Sequence, residues 1–406
     1  MKFGIFMAPF HRVGENPALA FERDMQLIEW LDELGYDEAF IGEHHSAGWE
    51  IIPSPEIFMA VAATRTKRIM LGSGVVSVPY HHPFNIANRF ALLDQLTRGR
   101  VMLGCGPGAL PSDAYMLGIE TTTQRDAMVE GLKAVMRLFT EEGGITIDGS
   151  YFKLRDAHLQ VKPFQQPHMP IFVANSISPS GMVAAGQLGC GVLSVAAFSQ
   201  GGLDSLPKRW QIAEETAAEN GKTVDRKNWR LVFPVHIAES SKEALDDIRE
   251  GGNAWIQEYF IKTLAAKVQF EEYPNQPTEE MTIDRMAARG GVLAGTPDDV
   301  IKRINEIVAA SGGGFGGLLL LAHEWASREK TLHSYEMLAR YVMPKFQGTV
   351  APIAYSQNWT SERKEPLFQS SVQAILKSMH EYKEHRQAAG KKPSELASQP
   401  IDRVRP

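Results

Sequence analysis

Residues 41–45 read IGEHH. Glu43, His44 and His45 close a short apolar run, so a carboxylate and two imidazoles arrive together at a strand end. Such a group suits metal ligation, or acid–base work near neutral pH, where imidazole titrates. It also suits an ordinary loop start. A second pair, His81-His82, and the late His323-Glu324 are the other candidates for a metal. Adjacent residues on an extended chain point to opposite faces, so each histidine pair offers one ligand. No spacing is diagnostic of a metal, and none is expected. His81-His82 reads as a loop ahead of a helix that starts at Pro83.

A different chemistry is suggested by NSISPSG at 175–181. Ser178 can cap a helix with Pro179 in its first turn. Free backbone N–H groups beside Asn175, Ser176 and Ser178 would then bind an anion. Simple capping explains the same pattern. Arg125 falls in the first turn of another helix, where a cation opposes the macrodipole. A phosphate nearby would reverse that penalty, and so would an ion pair with Asp126 or Glu130. Glycines at 72–74 (GSG) and 104–108 (GCGPG) clear side chains from two strand ends. Tight turns or a closely approaching flat ligand would each require that.

These groups need a scaffold. Apolar runs at 3–8, 38–42, 69–76, 101–105, 171–174, 191–197, 230–238 and 315–321 alternate with amphipathic segments. The segments span 18–34, 55–66, 83–97, 123–141, 179 onward, 207–219, 241–262, 296 onward and 327–343. Thr296-Pro297-Asp298-Asp299 carries a cap, a first-position proline and two acids for the dipole. Continuous apolar strands suit a parallel sheet buried on both faces. Their number predicts a TIM (β/α)8 barrel over 1–345, with the site at the carboxyl ends of the strands. A hairpin insertion is expected at about 143–169, around Asp148-Gly149, and a polar insertion at about 263–294. An extension, 346–406, carries one amphipathic helix at about 366–386 that docks on the barrel or on a second subunit. An open dinucleotide-binding sheet would need an early glycine fingerprint. GCGPGA at 104–109 is a loose match, broken by Pro107 and Pro111.

Composition narrows the function. A net charge of −6 without a basic block disfavours nucleic acid. Two cysteines, Cys105 and Cys190, exclude a disulfide scaffold and fit a reducing compartment. No run is long enough to span a bilayer, and the chain reads as cytoplasmic. Few carboxylates at the predicted mouth disfavour glycoside hydrolysis. Phe6, Met7, Phe10, Trp49, Phe198 and Trp325 near it suggest a hydrophobic substrate, although aromatics also simply pack there.

Several stretches together resemble the bacterial luciferase-like flavin monooxygenases: MKFGIFMAPF, GYDEAFIGEHHS, LGSGVVSVPYHHPFNIANRFALLDQLTRGRVMLGCGPG, PIFVANSISPS and AGTPDDVIKRI, from residue 1 to about 345. The longer limonene- and alkanal-type members are the most similar. The resemblance implies a TIM barrel that takes reduced FMN from a separate NAD(P)H:flavin reductase and uses O2 to oxygenate a small hydrophobic terpene, aldehyde or ketone. It places His44 on the family's catalytic histidine, with Glu43 as its orienting partner. It places Gly74-Val75, beside Gly106, where the family carries a cis peptide under the flavin ring. Arg125 and Ser176, with Asn175 and Ser178 beside it, fall at the phosphate. Pro107 departs from the luciferases proper, which carry an arginine there. A homodimer is the family default. A deazaflavin oxidoreductase, a non-catalytic flavin-binding subunit and a metal hydrolase are the alternatives.

Overall fold

A computed structural model describes residues 1–392 apart from Pro9, Ile177, Gln200 and Gly201. The chain divides into one unit over Met1–Gln347 and a second from Gly348. The strands in chain order are β1 Lys2–Met7, β2 Glu38–Ile41, β3 Met70–Ser73, β4 Val76–Ser77, β5 Val101–Gly106, β6 Ile145–Asp148, β7 Lys153–Ala157, β8 Ile171–Asn175, β9 Gly191–Ser194, β10 Trp229–Phe233, β11 Val235–Ile237, β12 Leu293–Gly295 and β13 Gly317–Leu321.

Eight of them, β1, β2, β3, β5, β8, β9, β10 and β13, form a closed parallel ring. Lys2 pairs with Gly317 to join β1 to β13, and Leu71 pairs with Val101 to join β3 to β5. Ring strands such as β1, β10 and β13 are buried almost throughout, as continuous apolar runs inside a jacket of helices must be. The expected TIM barrel is therefore the fold. Helices Pro17–Leu34, Pro55–Arg65, Pro83–Thr97 and Gln124–Thr140 lie within a residue or two of expectation. Helix Pro297–Ala310 carries a complete capping box between Thr296 and Asp299. The β6–β7 hairpin also forms, pairing Asp148 with Lys153.

The amino ends of the strands are sealed by charge. Arg230 on β10 bonds Glu38 on β2 at 2.6 and 2.7 Å, and its guanidinium lies 5.2 Å from the centre of the Phe172 ring. Both residues are buried.

Three segments of the first unit depart from expectation. The run at 69–76 splits into β3 and β4 at a cis peptide between Gly74 and Val75. The run at 230–238 splits into β10 and β11 at Pro234, which has no N–H to give to a ladder. β11 turns away to pair with β12, from the predicted polar insertion. The helix expected over 241–262 is α-helical only over Ser241–Ala254; Trp255–Thr263 is π-helical. In the second unit the helix expected at about 366–386 forms as Lys364–Ala388, a further helix, Ala351–Glu362, precedes it, and no residue of either is buried. Among the described residues no helix is long and apolar enough to cross a membrane.

Candidate active site

A cavity of about 450 Å3 opens at the carboxyl ends of the barrel strands. That lies in the roughly 300–1,000 Å3 range of small-molecule sites. Its floor includes Phe6 of β1 and Ala8 after it, Gly74 and Val75 after β3, and Leu321 of β13. Phe198, Trp255, Tyr259 and Phe260 form an apolar wall. The π-helical turn builds much of that wall. Bonds from residue i to i+5 bring residues four or five apart onto one face. Trp255, Tyr259, Phe260 and Leu264 therefore all reach the cavity, and the Leu264 N–H donates to the Tyr259 carbonyl at 3.0 Å.

His44 stands on the opposite side between two carboxylates. Its Nδ1 is 3.2 Å from Asp113 Oδ2, and its Nε2 is 3.3 Å from Glu50 Oε2. Burial pushes the imidazole's pKa down, but Glu50 and Asp113 outweigh it and the net shift is upward. Asp113 is itself buried, yet bonds from His44, the Ser46 hydroxyl and the His45 N–H hold it below the usual carboxylate range. Glu50 also accepts the Tyr259 hydroxyl at 2.5 Å. Burial and the Glu50 charge both raise the pKa of that phenol. The two carboxylates thus favour the charged form of His44, Asp113 through a hydrogen bond at Nδ1 and Glu50 through its charge beside Nε2.

Glu43 does something other than orient His44. It accepts from the Ser77 N–H at 2.7 Å through one oxygen. The other oxygen meets His81 Nε2 at 2.7 Å and His45 Nε2 at 2.9 Å. Burial raises its pKa, and these bonds bring it back below normal. On extended chain Glu43 and His45 share a face, and His44 faces the other way. Glu43 therefore reaches His44 only through its charge.

At the far end of the cavity are Arg125, Ser176, Ser178 and Ser180. The Arg125 Nε–H donates to Ser180 Oγ at 3.2 Å, and Ser180 shares a bond of 2.8 Å with Ser178. Neither Asp126 nor Glu130 takes the guanidinium. Ser178 does not cap the following helix, Ser180–Leu188: Pro179 already has helical angles and occupies the cap position. Arg209, from helix Leu206–Glu219, donates to the Ser176 carbonyl at 2.5 Å. Asn175 is buried beneath these residues, with Nδ2 on the Ser176 carbonyl and Oδ1 without a partner among the described residues. Gly106 is outside the cavity lining. A Cβ there would strike the Val75 side chain at 2.5 Å, so the glycine is needed for packing. Gly108 has φ +93°, and a Cβ on it would lie 2.2 Å from the Tyr80 hydroxyl.

Of the apolar side chains expected at the mouth, Phe6, Phe10 and Phe198 line this cavity and Met7 is core. Trp49 and Trp325 line a second cavity of about 530 Å3 beyond Phe10 and Trp255. There His11, Glu15 and Glu324 come close enough to share an ion. Arg23 already lies between the two carboxylates, paired to both.

Glu50, Asp113, Tyr259 and Arg209 were not singled out in the sequence. Glu50 and Asp113 had a weak signal, since each follows a barrel strand by a short loop. Tyr259 and Arg209 had none.

The profile of the luciferase-like monooxygenase family matches residues 1–313. This chain is a luciferase-like monooxygenase. It is 41% identical over 365 residues to 4-hydroxyprotoasukamycin monooxygenase of Streptomyces nodosus subsp. asukaensis, covering 89% of this chain and 97% of that one. It is 42% identical over 363 residues to limonene 1,2-monooxygenase of Rhodococcus erythropolis, covering 89% and 91%. The oxygenating constituent of 3,6-diketocamphane monooxygenase from Pseudomonas putida, solved with FMN, superposes with a TM-score of 0.74 at 28% identity, over 85% of this chain and 98% of that one. Like its relatives, this luciferase-like monooxygenase is a flavin-dependent oxidoreductase. Its donor set fits FMN: a guanidinium and three hydroxyls at one end suit a phosphate, and an apolar cleft suits a flat ring.

Proposed function

We propose that the protein is the oxygenase of a two-component system. Reduced FMN would come from a separate NAD(P)H:flavin reductase, and a small hydrophobic molecule would be oxygenated. FMN bound here would supply the electrons that activate O2, one oxygen atom going to the substrate and the other to water.

The chain's residues divide the remaining work. Arg125, Ser176, Ser178 and Ser180 would hold the phosphate. Gly74, Val75 and Phe6 would face the ring. Phe198, Trp255 and Phe260 would exclude water and pack the substrate. His44 would hold and release a proton at Nε2, with Asp113 fixing the ring through Nδ1. The observation that carries the reading is His44, flanked by two carboxylates, on the wall of an apolar cavity whose other end is cationic.

Two relatives bear the names of limonene and diketocamphane oxygenation. By likeness we assign a terpene-sized alkene, aldehyde or ketone. The experiment combines the protein with a flavin reductase, NADH, FMN and a panel of volatile hydrophobic compounds, followed by gas chromatography of the products. At least one oxygenated product should form. A second arm compares the affinities for reduced FMN and a reduced deazaflavin. Tighter binding of the deazaflavin, with no product from any compound, would replace this reading with hydride transfer on the same barrel.

A further inference from the structure

We infer that Glu50 and Tyr259 act as a two-membered positioning clamp on His44, the Tyr259 hydroxyl setting how firmly Glu50 holds the Nε2 proton. The inference rests on the assignment of His44 as the proton-handling residue.

The geometry is a chain. Tyr259 gives its proton to one oxygen of Glu50 at 2.5 Å, and the other oxygen faces His44 Nε2 at 3.3 Å. The Glu50 side chain is 9% exposed and that of His44 15%, so water screens the pair weakly. All three side chains border the cavity. The backbone also fixes the clamp. Glu50 bridges to Phe10 in antiparallel fashion, and the His44 N–H donates to the Ile52 carbonyl at 3.0 Å. The clamp therefore ties the cavity's aromatic wall to the histidine across from it.

The neighbours of His44 are few enough to assign its charge environment. Asp113 approaches from helix Pro111–Met116. Glu43 lies at the end of β2 and is occupied by His45 and His81. Tyr80 packs on the His45 ring at 5.9 Å. Among the described residues Glu50 alone pairs with the Nε2 atom, at 3.3 Å, on the face toward the cavity. A carboxylate stripped of its phenol donor is a stronger acceptor, and a carboxamide carries no charge at all. The two halves of the clamp must therefore push His44 in opposite directions.

The test is a titration of the flavin-free protein carrying isotope-labelled histidine, followed by NMR, with His44→Gln used to assign the resonance. Glu50→Gln should lower the His44 midpoint by about one pH unit. Tyr259→Phe should raise it by a few tenths. Glu50→Asp should recover part of the first loss. The limb of the kcat profile assigned to His44 should move with each midpoint. If Glu50→Gln does not fold, Tyr259→Phe still decides: a downward or null shift overturns the clamp. Equal shifts in one direction for both variants would mean simple loosening and also overturn it. The readout needs no turnover, so its failure is separate from failure of the product screen.

Discussion

Arg230 and Glu38 meet across two intervening strands, β1 and β13, at the amino end of the barrel. Burial pushes the Glu38 carboxyl up, but Arg230 and then Lys2 hold it below the usual range. Removing Arg230 leaves the buried Glu38 carboxylate only the half-exposed Lys2. Arg230→Met should cost about 3–5 kcal/mol of stability, read as a lower urea midpoint. The apolar pair Glu38→Leu with Arg230→Met should recover much of that loss. A single variant as stable as the parent would show that the seal contributes nothing.

His11 gives the pH dependence a defined sign. Burial lowers its pKa, but Asp24 and Glu324 overcome this and raise it from 6.5 to about 9. A histidine raised on folding stabilises fully below its unfolded value and loses that contribution as pH rises through the folded one. The stability gap between the parent and His11→Gln should therefore be widest near pH 6 and shrink toward pH 9.5. Denaturant midpoints at four or five pH values would measure it. A gap that stays constant would count against the assignment.

Arg125 is exposed and bonded only to a serine hydroxyl among the described residues. Arg125→Gln should weaken FMN roughly tenfold or more, the worth of a charge-assisted hydrogen bond. Riboflavin, which lacks the phosphate, should bind parent and variant alike in a fluorescence titration. Equal loss for both ligands would move the anionic end elsewhere.

His44→Ala should lower turnover by roughly 10²–10⁴-fold, the usual worth of a positioned acid or base. FMN affinity should change little, because the phosphate residues lie at the other end of the cavity. Stopped-flow oxidation and equilibrium binding separate the two effects. Unchanged turnover would remove His44 from the mechanism.

The fold was legible because its signals are local. Continuous apolar runs, the proline-opened helices and the Thr296 box each report on a few neighbouring residues. The misses are tertiary or concern single backbone units. Pro234 marks the end of β10, yet it lay inside an unbroken apolar run and was read through. The π turn at Trp255–Thr263 has no composition that separates it from an α-helix. At the site, His44 was legible from its type and place. Its true partners come from other loops, so no spacing revealed Glu50 or Asp113. The same alternation that separates His44 from His45 also joins His45 to Glu43. Applied once more, it would have steered Glu43 away from His44.

The ring closes between the first strand of the chain and the last of its eight, with Lys2 against Gly317. A nascent polypeptide therefore carries β1 half-paired until β13 has been made. Until β13 emerges, β1 and β10 each present an open row of amide and carbonyl groups. Such edges recruit strands from other molecules. Products that stop short of residue 317 should be clients of chaperones and proteases rather than smaller working barrels.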